Sequence, residues 1–415
     1  MRRAREWTVG AVSAVRDLTP GFLRARTNVG LALQVFVMNK FLVVLVSMVA
    51  NWEGWRRLLS VDMAYEVLVR NYRFFDAGWY VGIAANGYVH LKETAFFPLF
   101  PLTMRLFGWV LPVGFLAAGV LVSNLAFFGL LYGFARLARH DLDEQTARRA
   151  VWLLGLYPTS FYFSAAYTEA LFGLATVLAL YSMRRRRWAL AGVAGGAAAL
   201  TRNVGVLLVL PFLLEYWSSL REGSAKPGKH PVSRSRGRRS LASVLWVGVI
   251  GAGGLLYVAF LRWRFGEPFA FVNTQSLYGR ESLMPWSTLY RGYRFGLQQI
   301  AAVDLPITWH DLYFTTQLFF VTLVLVVLVA SVGRMRWSYW VVILYSFTIP
   351  MVGPSTEGVV DYFISFSRYS VVILPLFLGL AGLLRNRRLC RAYVVVSVGL
   401  LVLFVYAWSV GTWVA

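Results

Sequence analysis

The hydrophobic positions of this 415-residue chain gather into long blocks separated by short polar segments. Most blocks approach the roughly 20 residues that a helix needs to cross a hydrocarbon core of about 30 Å. They lie near 29–50, 114–137, 150–166, 167–183, 188–201, 203–217, 241–262, 312–333, 337–352, 369–384 and 391–412. The pattern predicts an all-α, polytopic transmembrane protein with about 11 spans, the short pairs between 150 and 217 being the least regular.

One further apolar segment, "AFFPLFPLTMRLFGWVLP" at 95–112, is ambiguous. It contains three prolines and Arg105, which are unfavourable inside a spanning helix. If this segment crossed the membrane, every later loop would change sides. The distribution of basic residues decides between the two topologies, because cytoplasmic loops are enriched in lysine and arginine.

Charge is strongly asymmetric when 95–112 lies at the interface or re-enters. The segments 1–28, 136–149, 184–187, 221–239, 334–336 and 385–391, together with Glu215, then carry 27 of the 41 basic residues and 7 of the 19 acids. The other side holds 13 basic and 12 acidic residues, and Lys40 stays within the first block. We therefore predict a cytoplasmic N-terminus, an external C-terminus and an external Asp76.

The formal charge of +22 consequently belongs to lipid-headgroup anchors and topology signals rather than to a nucleic-acid surface. Composition agrees: 58% of residues are hydrophobic, 14% are charged and the mean hydropathy is +0.59. No nucleic-acid partner is predicted.

The longest cytoplasmic segment, "REGSAKPGKHPVSRSRGRR" at 221–239, is rich in Pro, Gly and Ser and is predicted to be a disordered basic linker. With the linker taken as 218–240, it separates an N-terminal module, 1–217, from C-terminal helices in 241–415. Close helix contacts are expected at "AGVAGGAAAL", where Gly192 and Gly196 lie four residues apart.

Metal chemistry has little support in the sequence. Cys390 is the only cysteine, and the four histidines are scattered without zinc-ligand spacing. "DLDE" at 141–144 has an Asp-x-Asp form, but it precedes a helix, so capping explains it. We predict no cofactor and no obligate metal, although a His/carboxylate metal site assembled in space stays open on the sequence.

Candidate chemistry gathers in three predicted outer segments: 51–112, 263–311 and 353–368. Within "FFDAGWYVGIAANGYVH" at 74–90, Asp76 is the lone acid among aromatic side chains. The simplest interpretation makes Asp76 a helix N-cap and makes Trp79 and Tyr80 part of the interfacial aromatic belt.

The other polar candidates have similarly plain interpretations. Arg202 and Arg368 stand at predicted outer ends of spans, where arginine snorkels to headgroups. Glu169 follows Thr168 at a helix start, and His90 and Lys92 suit a solvated loop.

Five segments stand in order along the chain: "FFDAGWYVGIAANGY", "AFFPLFPL", "YPTSFYFSAAYTEALF", "RRRRWALAGVAGGAAALTRNVGVLLVLP" and "SFSRYSVVILPLF". Together they resemble the PIG-V family of integral-membrane mannosyltransferases, a branch of the GT-C superfamily related to the second mannosyltransferase of GPI-anchor synthesis. The resemblance implies a GT-C type fold in which the first outer loop carries interfacial helices. It also implies a polyprenyl- or dolichyl-phosphate mannose donor, transfer on the non-cytoplasmic face, and a functional aspartate in that loop, matched here by Asp76.

Reaction chemistry agrees with one acidic residue. A glycosyl phosphodiester leaves as phosphate, so it needs positive charge rather than a general acid. One carboxylate, Asp76, is then enough to accept the proton of the attacking hydroxyl, and direct attack inverts the anomeric carbon. Arg202 and Arg368 are the predicted phosphate ligands. Sugar or acceptor contacts are assigned to Trp79, Tyr80, Glu169, His90 and Lys92.

Two alternatives remain open on the sequence. A transporter or lipid flippase would place ionisable groups near the bilayer midplane, where only Lys40 lies. A GT-C enzyme transferring another lipid-linked sugar fits the same residues. The acceptor is expected to be a glycolipid or another glycan, although a protein also remains open. Arginine outnumbers lysine 37 to 4, which suggests a bacterial plasma membrane, or the endoplasmic reticulum in a eukaryote.

Overall fold

The computed structural model describes residues 27–51, 61–224, 243–302, 308–356 and 360–414. The basic arm therefore falls almost entirely outside the described residues, as does most of the predicted linker. Over the described ranges the chain forms helices and two isolated β-bridges, so the all-α prediction is confirmed. The α-helices are α1 (Asn28–Ala50), α2 (Val61–Leu68), α3 (Asp76–Asn86), α4 (Leu99–Val110), α5 (Phe115–Asp141), α6 (Glu144–Gly155), α7 (Glu169–Arg184), α8 (Trp188–Thr201), α9 (Val209–Ser224), α10 (Val247–Phe265), α11 (Ala270–Asn273), α12 (Pro285–Ala301), α13 (Trp309–Ala330), α14 (Trp337–Thr348), α15 (Phe366–Ser370), α16 (Leu374–Leu383) and α17 (Arg387–Ser409).

Six of the described helical segments are long and apolar enough to cross a membrane: α1, Asn203–Glu222, α5, α10, α13 and α17. The predicted spans at 188–201, 337–352 and 369–384 correspond to shorter apolar helices, the last of them only Leu374–Leu383. These features identify an integral membrane protein.

The predicted span at 150–166 is wrong as a single helix. Helix α6 ends at Gly155, and the chain continues through turns and a short 3-10 segment, Ser160–Phe163, before α7 begins. Non-helical backbone inside a membrane protein needs internal hydrogen-bond partners. Asn39 of α1 supplies one, since its buried amide donates to Gly155 O and to Ser160 Oγ, each at 2.9 Å.

Segment 95–112 forms the 12-residue helix α4, which extends about 18 Å and is too short to cross a hydrocarbon core of about 30 Å. Arg105 reaches from α4 to the C-terminal end of α3, where its Nε donates to Ala84 O at 2.6 Å. Trp109 and Val110 at the end of α4 remain largely exposed. A peripheral helix, rather than a span, agrees with the topology predicted from charge.

Ionic side chains meet at the ends of several helices. Arg184 at the end of α7 pairs with Asp141 of α5 at 2.7 Å and with Glu215 of α9 at 3.1 Å. Arg336, just before α14, binds the same Glu215 at 2.9 Å. We call these four residues the Asp141 cluster. Asp141 is thus occupied by arginine, while Asp143 caps α6 by accepting from Thr146 N at 3.0 Å, as predicted for "DLDE".

Helix α7 connects this cluster to the opposite end of the bundle. It begins at Glu169 and ends at Arg184 after 16 residues, which is about 24 Å at 1.5 Å per residue. Helix α8 then runs back from Trp188 to Thr201, beside Arg202. The alternation of helix ends agrees with the sides that the charge distribution predicted.

The close helix contact expected at Gly192 and Gly196 is confirmed between α8 and α10. A Cβ atom on Gly196 would lie 2.9 Å from Val249 O, and one on Gly253 would lie 2.5 Å from Gly196 O. The two backbones therefore touch where side chains are absent.

A matched pair of valine substitutions in α10 tests this contact. Gly253→Val should separate α8 from α10 and lower the free energy of unfolding by about 1–3 kcal/mol, because the added side chain overlaps backbone. Gly251→Val is the control, since no atom of the described residues lies within 4 Å of a Cβ there. Thermal unfolding of both variants in detergent is the measurement, and equal melting temperatures would contradict the proposed packing.

Candidate active site

Asp76 is the first residue of α3, and its backbone is fixed by a tyrosine from the break between α6 and α7. The Tyr167 hydroxyl accepts from Asp76 N and donates to Phe74 O, both at 3.0 Å. Between these two residues Phe75 adopts φ +55°, an unusual conformation for a bulky side chain. The Phe75 ring packs on Trp408 and Trp413, with centroid separations of 5.3 and 4.7 Å.

The N-cap interpretation of Asp76 is therefore wrong. Phe75 occupies the N-cap position, and the Asp76 side chain instead forms an ion pair with Arg368, which is distant in the sequence. Arg368 Nη1 donates to Asp76 Oδ2 at 2.5 Å.

Arg368 joins two carboxylates. Its Nε donates to Glu169 Oε1 at 2.5 Å while its Nη1 holds Asp76, and its guanidinium lies 4.4 Å from the centre of the Tyr167 ring. The Arg368 side chain is only 6% exposed. Two of its three nitrogens, Nε and Nη1, are thus paired with carboxylates inside the protein.

Glu169 is completely buried and is shared by two arginines. Its Oε1 accepts from Arg368 and also from Arg202 Nη1 at 3.0 Å. Among the residues that the structure describes, Glu169 Oε2 has no hydrogen-bond partner. A buried carboxylate remains tolerable only with such cationic partners.

Arg202 and Arg280 flank Tyr369. The Arg202 guanidinium lies 5.3 Å from the Tyr369 ring centre, and Arg280 Nη2 donates to the Tyr369 hydroxyl at 3.2 Å. Arg202, Arg280, Tyr369 and Asp76 are all partly exposed, whereas Glu169 and Arg368 are buried. The site therefore has a buried floor and an accessible rim.

Of the predicted site residues, four meet directly: Asp76, Glu169, Arg202 and Arg368 form one chain of ion pairs, which we call the Asp76 cluster. It brings together residues separated by up to 292 positions.

The aromatic candidates differ in accessibility. Tyr80 is buried, with its ring against Phe96 and Phe100 at 5.1 and 5.2 Å, so it packs the wall of the site. Trp79 is half-buried and stacks on Phe96 at 5.7 Å. Contact of either ring with a sugar stays a prediction.

His90 and Lys92 lie in an exposed turn and join no ion pair of the Asp76 cluster. Glu93 accepts from His90 N at 2.9 Å, and Lys92 O accepts from the Tyr278 hydroxyl at 3.1 Å. Their roles in binding sugar or acceptor likewise stay predictions.

Sequence reasoning missed Arg280, Tyr167 and Tyr369. Tyr167 and Tyr369 lie within two of the quoted motifs, "YPTSFYFSAAYTEALF" and "SFSRYSVVILPLF", so their positions near Glu169 and Arg368 in the sequence were a usable signal. Arg280 lies in "LYGRES" of the second outer segment, where nothing in the sequence distinguishes it from other arginines. Among the described residues no group of three or more His, Cys, Asp or Glu side chains could hold a metal ion.

Residues 34–212 match the sequence profile of the family described as Mannosyltransferase (PIG-V). The resemblance inferred from the motifs is thus confirmed over a stretch that contains Asp76, Glu169 and Arg202, while Arg280 and Arg368 lie beyond it.

Named relatives also match parts of this chain. GPI alpha-1,6-mannosyltransferase 2 of Rattus norvegicus is 32% identical over 160 residues, which is 36% of this chain and 32% of that protein. GPI mannosyltransferase 2 of Yarrowia lipolytica is 26% identical over 243 residues, 56% of this chain and 64% of that protein. The matched region thus spans about a third of the rat protein and under two thirds of the yeast one.

Among solved structures, ArnT from Cupriavidus metallidurans bound to undecaprenyl phosphate overlays 90% of this chain and 71% of its own, with 14% identity and a TM-score of 0.45.

Two neighbouring tyrosines allow the support of Asp76 to be tested. Tyr167→Phe removes two hydrogen bonds at Phe74 and Asp76 but keeps the ring beneath Arg368, so the free energy of unfolding should fall by about 1–3 kcal/mol. Tyr162→Phe is the matched control, because the buried Tyr162 hydroxyl has no hydrogen-bond partner within the described ranges of the chain. Chemical or thermal unfolding in detergent distinguishes them, and an unaffected Tyr167→Phe protein would refute the anchoring role.

Proposed function

We propose that this protein is a glycosyltransferase that moves mannose from a polyprenyl-phosphate-linked donor to an acceptor hydroxyl on the non-cytoplasmic face, with inversion. The observation that carries the proposal is a partly exposed carboxylate, Asp76, beside a concentration of guanidinium groups at one end of a membrane helix bundle. The PIG-V match over 34–212 supports mannose as the sugar.

Only one of the two carboxylates in the site suits contact with substrate. The Asp76 side chain is 27% exposed, whereas Glu169 is 0% exposed and held by two arginines. A mechanism with paired catalytic carboxylates on either side of a glycosidic bond would need both to be accessible. The geometry thus favours a single base and a donor that already carries a good leaving group.

In the proposed step, the acceptor oxygen attacks the anomeric carbon and forms the new glycosidic bond. The bond between that carbon and the phosphate oxygen breaks, and its electron pair leaves with the phosphate. Asp76 accepts the acceptor proton as the bond forms. Because attack is direct, a β-linked donor gives an α-mannoside, and the guanidinium groups stabilise the charge that develops on the phosphate.

Glu169 acts in this proposal by holding Arg368 and Arg202 rather than by touching the sugar, which revises its predicted role. Its Oε1 accepts from both guanidinium groups and fixes their separation. A guanidinium held in this way, such as that of Arg202, needs no rearrangement when the leaving phosphate gains charge.

The external location is supported by the position of the Asp76 cluster opposite the Asp141 cluster, because the latter lies among the basic helix ends predicted to be cytoplasmic. A lipid-linked donor suits a site at a helix end, where its phosphate reaches the headgroup region and its chain stays in lipid. The acceptor is a glycolipid or another glycan in this proposal.

The test is transfer by the purified protein from polyprenyl-phosphate mannose to candidate glycolipids. Asp76→Asn should lower turnover by about 10²–10⁴-fold, since the amide is nearly isosteric but cannot accept the proton. Glu267→Gln, an exposed change in the predicted outer segment, should leave turnover near wild type.

Polyprenyl-phosphate glucose and arabinose serve as competing donors, and the wild type should prefer mannose. Wild-type-like turnover by a folded Asp76→Asn protein would disprove the assignment of the base. Transbilayer movement of lipid without any transfer product would instead support a flippase.

A further inference from the structure

Arg368, one of the two predicted phosphate ligands, is poorly placed to bind a phosphate. Its side chain is 6% exposed, and Nε and Nη1 already bind carboxylates. A phosphate that bound Nε or Nη1 would have to displace Glu169 or Asp76. The two partly exposed arginines of the site, Arg202 and Arg280, are better candidates.

Arg280 is held in position by a short strand-like pairing outside the long helices. Glu281 N donates to Pro354 O at 3.1 Å and Leu283 N donates to Val352 O at 2.9 Å, so residues beside Arg280 pair with the chain after α14. On the other side of Arg280, Thr356 N donates to Gly279 O at 3.1 Å. This segment is fixed on both sides of Arg280 by backbone rather than by the site itself.

The same pairing is tied to the chain that leads to Arg368. Ser355 and Asp361 exchange two backbone hydrogen bonds, at 3.0 and 2.9 Å. The buried Asp361 carboxylate accepts from the Tyr313 hydroxyl at 2.7 Å and from Phe363 N at 2.9 Å. Burial raises the pKa of Asp361. Arg280 and Arg368 thus belong to one connected unit formed by two outer segments.

Tyr369 separates Arg280 from Arg202. Its hydroxyl accepts from Arg280 Nη2 at 3.2 Å, and its ring faces Arg202 at 5.3 Å. A phosphate oxygen is a stronger acceptor than a phenol and can take the place of the Tyr369 hydroxyl on Arg280.

Resting on the proposed function, we infer that Arg280 and Arg202 bind the donor phosphate across Tyr369, and that Arg368 positions Asp76 and Glu169 instead. Arg280 is then a binding residue for the lipid-linked phosphate, while Arg368 acts through the carboxylates that it holds.

Charge counting favours a monophosphate-linked donor at this site. Arg202, Arg280 and Arg368 together exceed the carboxylates of Asp76 and Glu169 by one positive charge, which matches the single negative charge of a phosphodiester. After transfer, the released phosphate monoester carries roughly −1.5 to −2 and Asp76 has become neutral. The excess of positive charge then rises to two, so that the site remains matched to its ligand through the reaction.

Arg280→Gln tests the inference in the transfer assay. The Michaelis constant for polyprenyl-phosphate mannose should rise about 10-fold or more, because a charge-assisted contact is lost. Inhibition by the product polyprenyl phosphate should weaken by a larger factor, since Coulomb attraction scales with ligand charge. Arg280→Lys should fall between the two proteins, as lysine keeps the charge but loses the planar fork. Arg291→Gln, at an exposed arginine of the same outer segment, is the control.

A binding measurement separates this inference from the proposed reaction. Polyprenyl phosphate should raise the melting temperature of wild type and Arg291→Gln more than that of Arg280→Gln. Arg280→Lys, which keeps the charge but not the planar fork, should retain only part of the shift and serves if Arg280→Gln does not fold. Unchanged Michaelis constant, product inhibition and thermal shift in a folded Arg280→Gln or Arg280→Lys protein would overturn the role of Arg280, even with wild-type transfer intact. Absence of transfer with an Arg280-dependent thermal shift would refute the reaction but leave the binding site standing.

Discussion

The Arg368 guanidinium, shared between Asp76 and Glu169, is the interaction on which the arrangement of the site depends. Glu169 is wholly buried, and burying an unpaired carboxylate costs several kcal/mol, so the pairing with Arg368 and Arg202 is required for this packing. Once Glu169 fixes Arg368, the second edge of the guanidinium determines where Asp76 Oδ2 lies. A structural need inside the bundle thereby sets the position of an accessible acid.

The break between α6 and α7 makes this arrangement possible. A continuous helix over 150–166 would carry its tyrosines around a cylinder, whereas the turns after Gly155 bring Tyr162 and Tyr167 beneath Arg368. The irregular backbone is tolerable because Asn39 and Ser160 bind the carbonyl of Gly155. Local departure from helix thus coincides with the proposed active site, which is where irregular backbone inside membrane proteins is expected.

Much of the fold could be predicted because bilayer thickness imposes a length on apolar helices and leaves a charge asymmetry between their ends. The apolar run at 150–166 was wrongly predicted to be one helix, because apolar aromatic residues occur in buried turns as readily as in helices. Hydrophobicity alone does not distinguish the two kinds of structure. Pro158, followed by Thr159 and Ser160, was the available sign of a break.

Within the site, the sequence pointed to Asp76, Glu169, Arg202 and Arg368 because all four stand in motifs at predicted helix ends. Their pairing depends on tertiary packing over as many as 292 positions and had no local signal. Arg280 was not predicted for a related reason, since its position depends on backbone pairing between two loops.

The shortness of α7 has a consequence for its position in the membrane. Charged groups stand at both ends of about 24 Å of helix, which is less than the roughly 30 Å of a typical hydrocarbon core. In a bilayer of that thickness at least one end of α7 lies at the depth of the hydrocarbon core, where its charged groups depend on partners within the protein rather than on lipid headgroups.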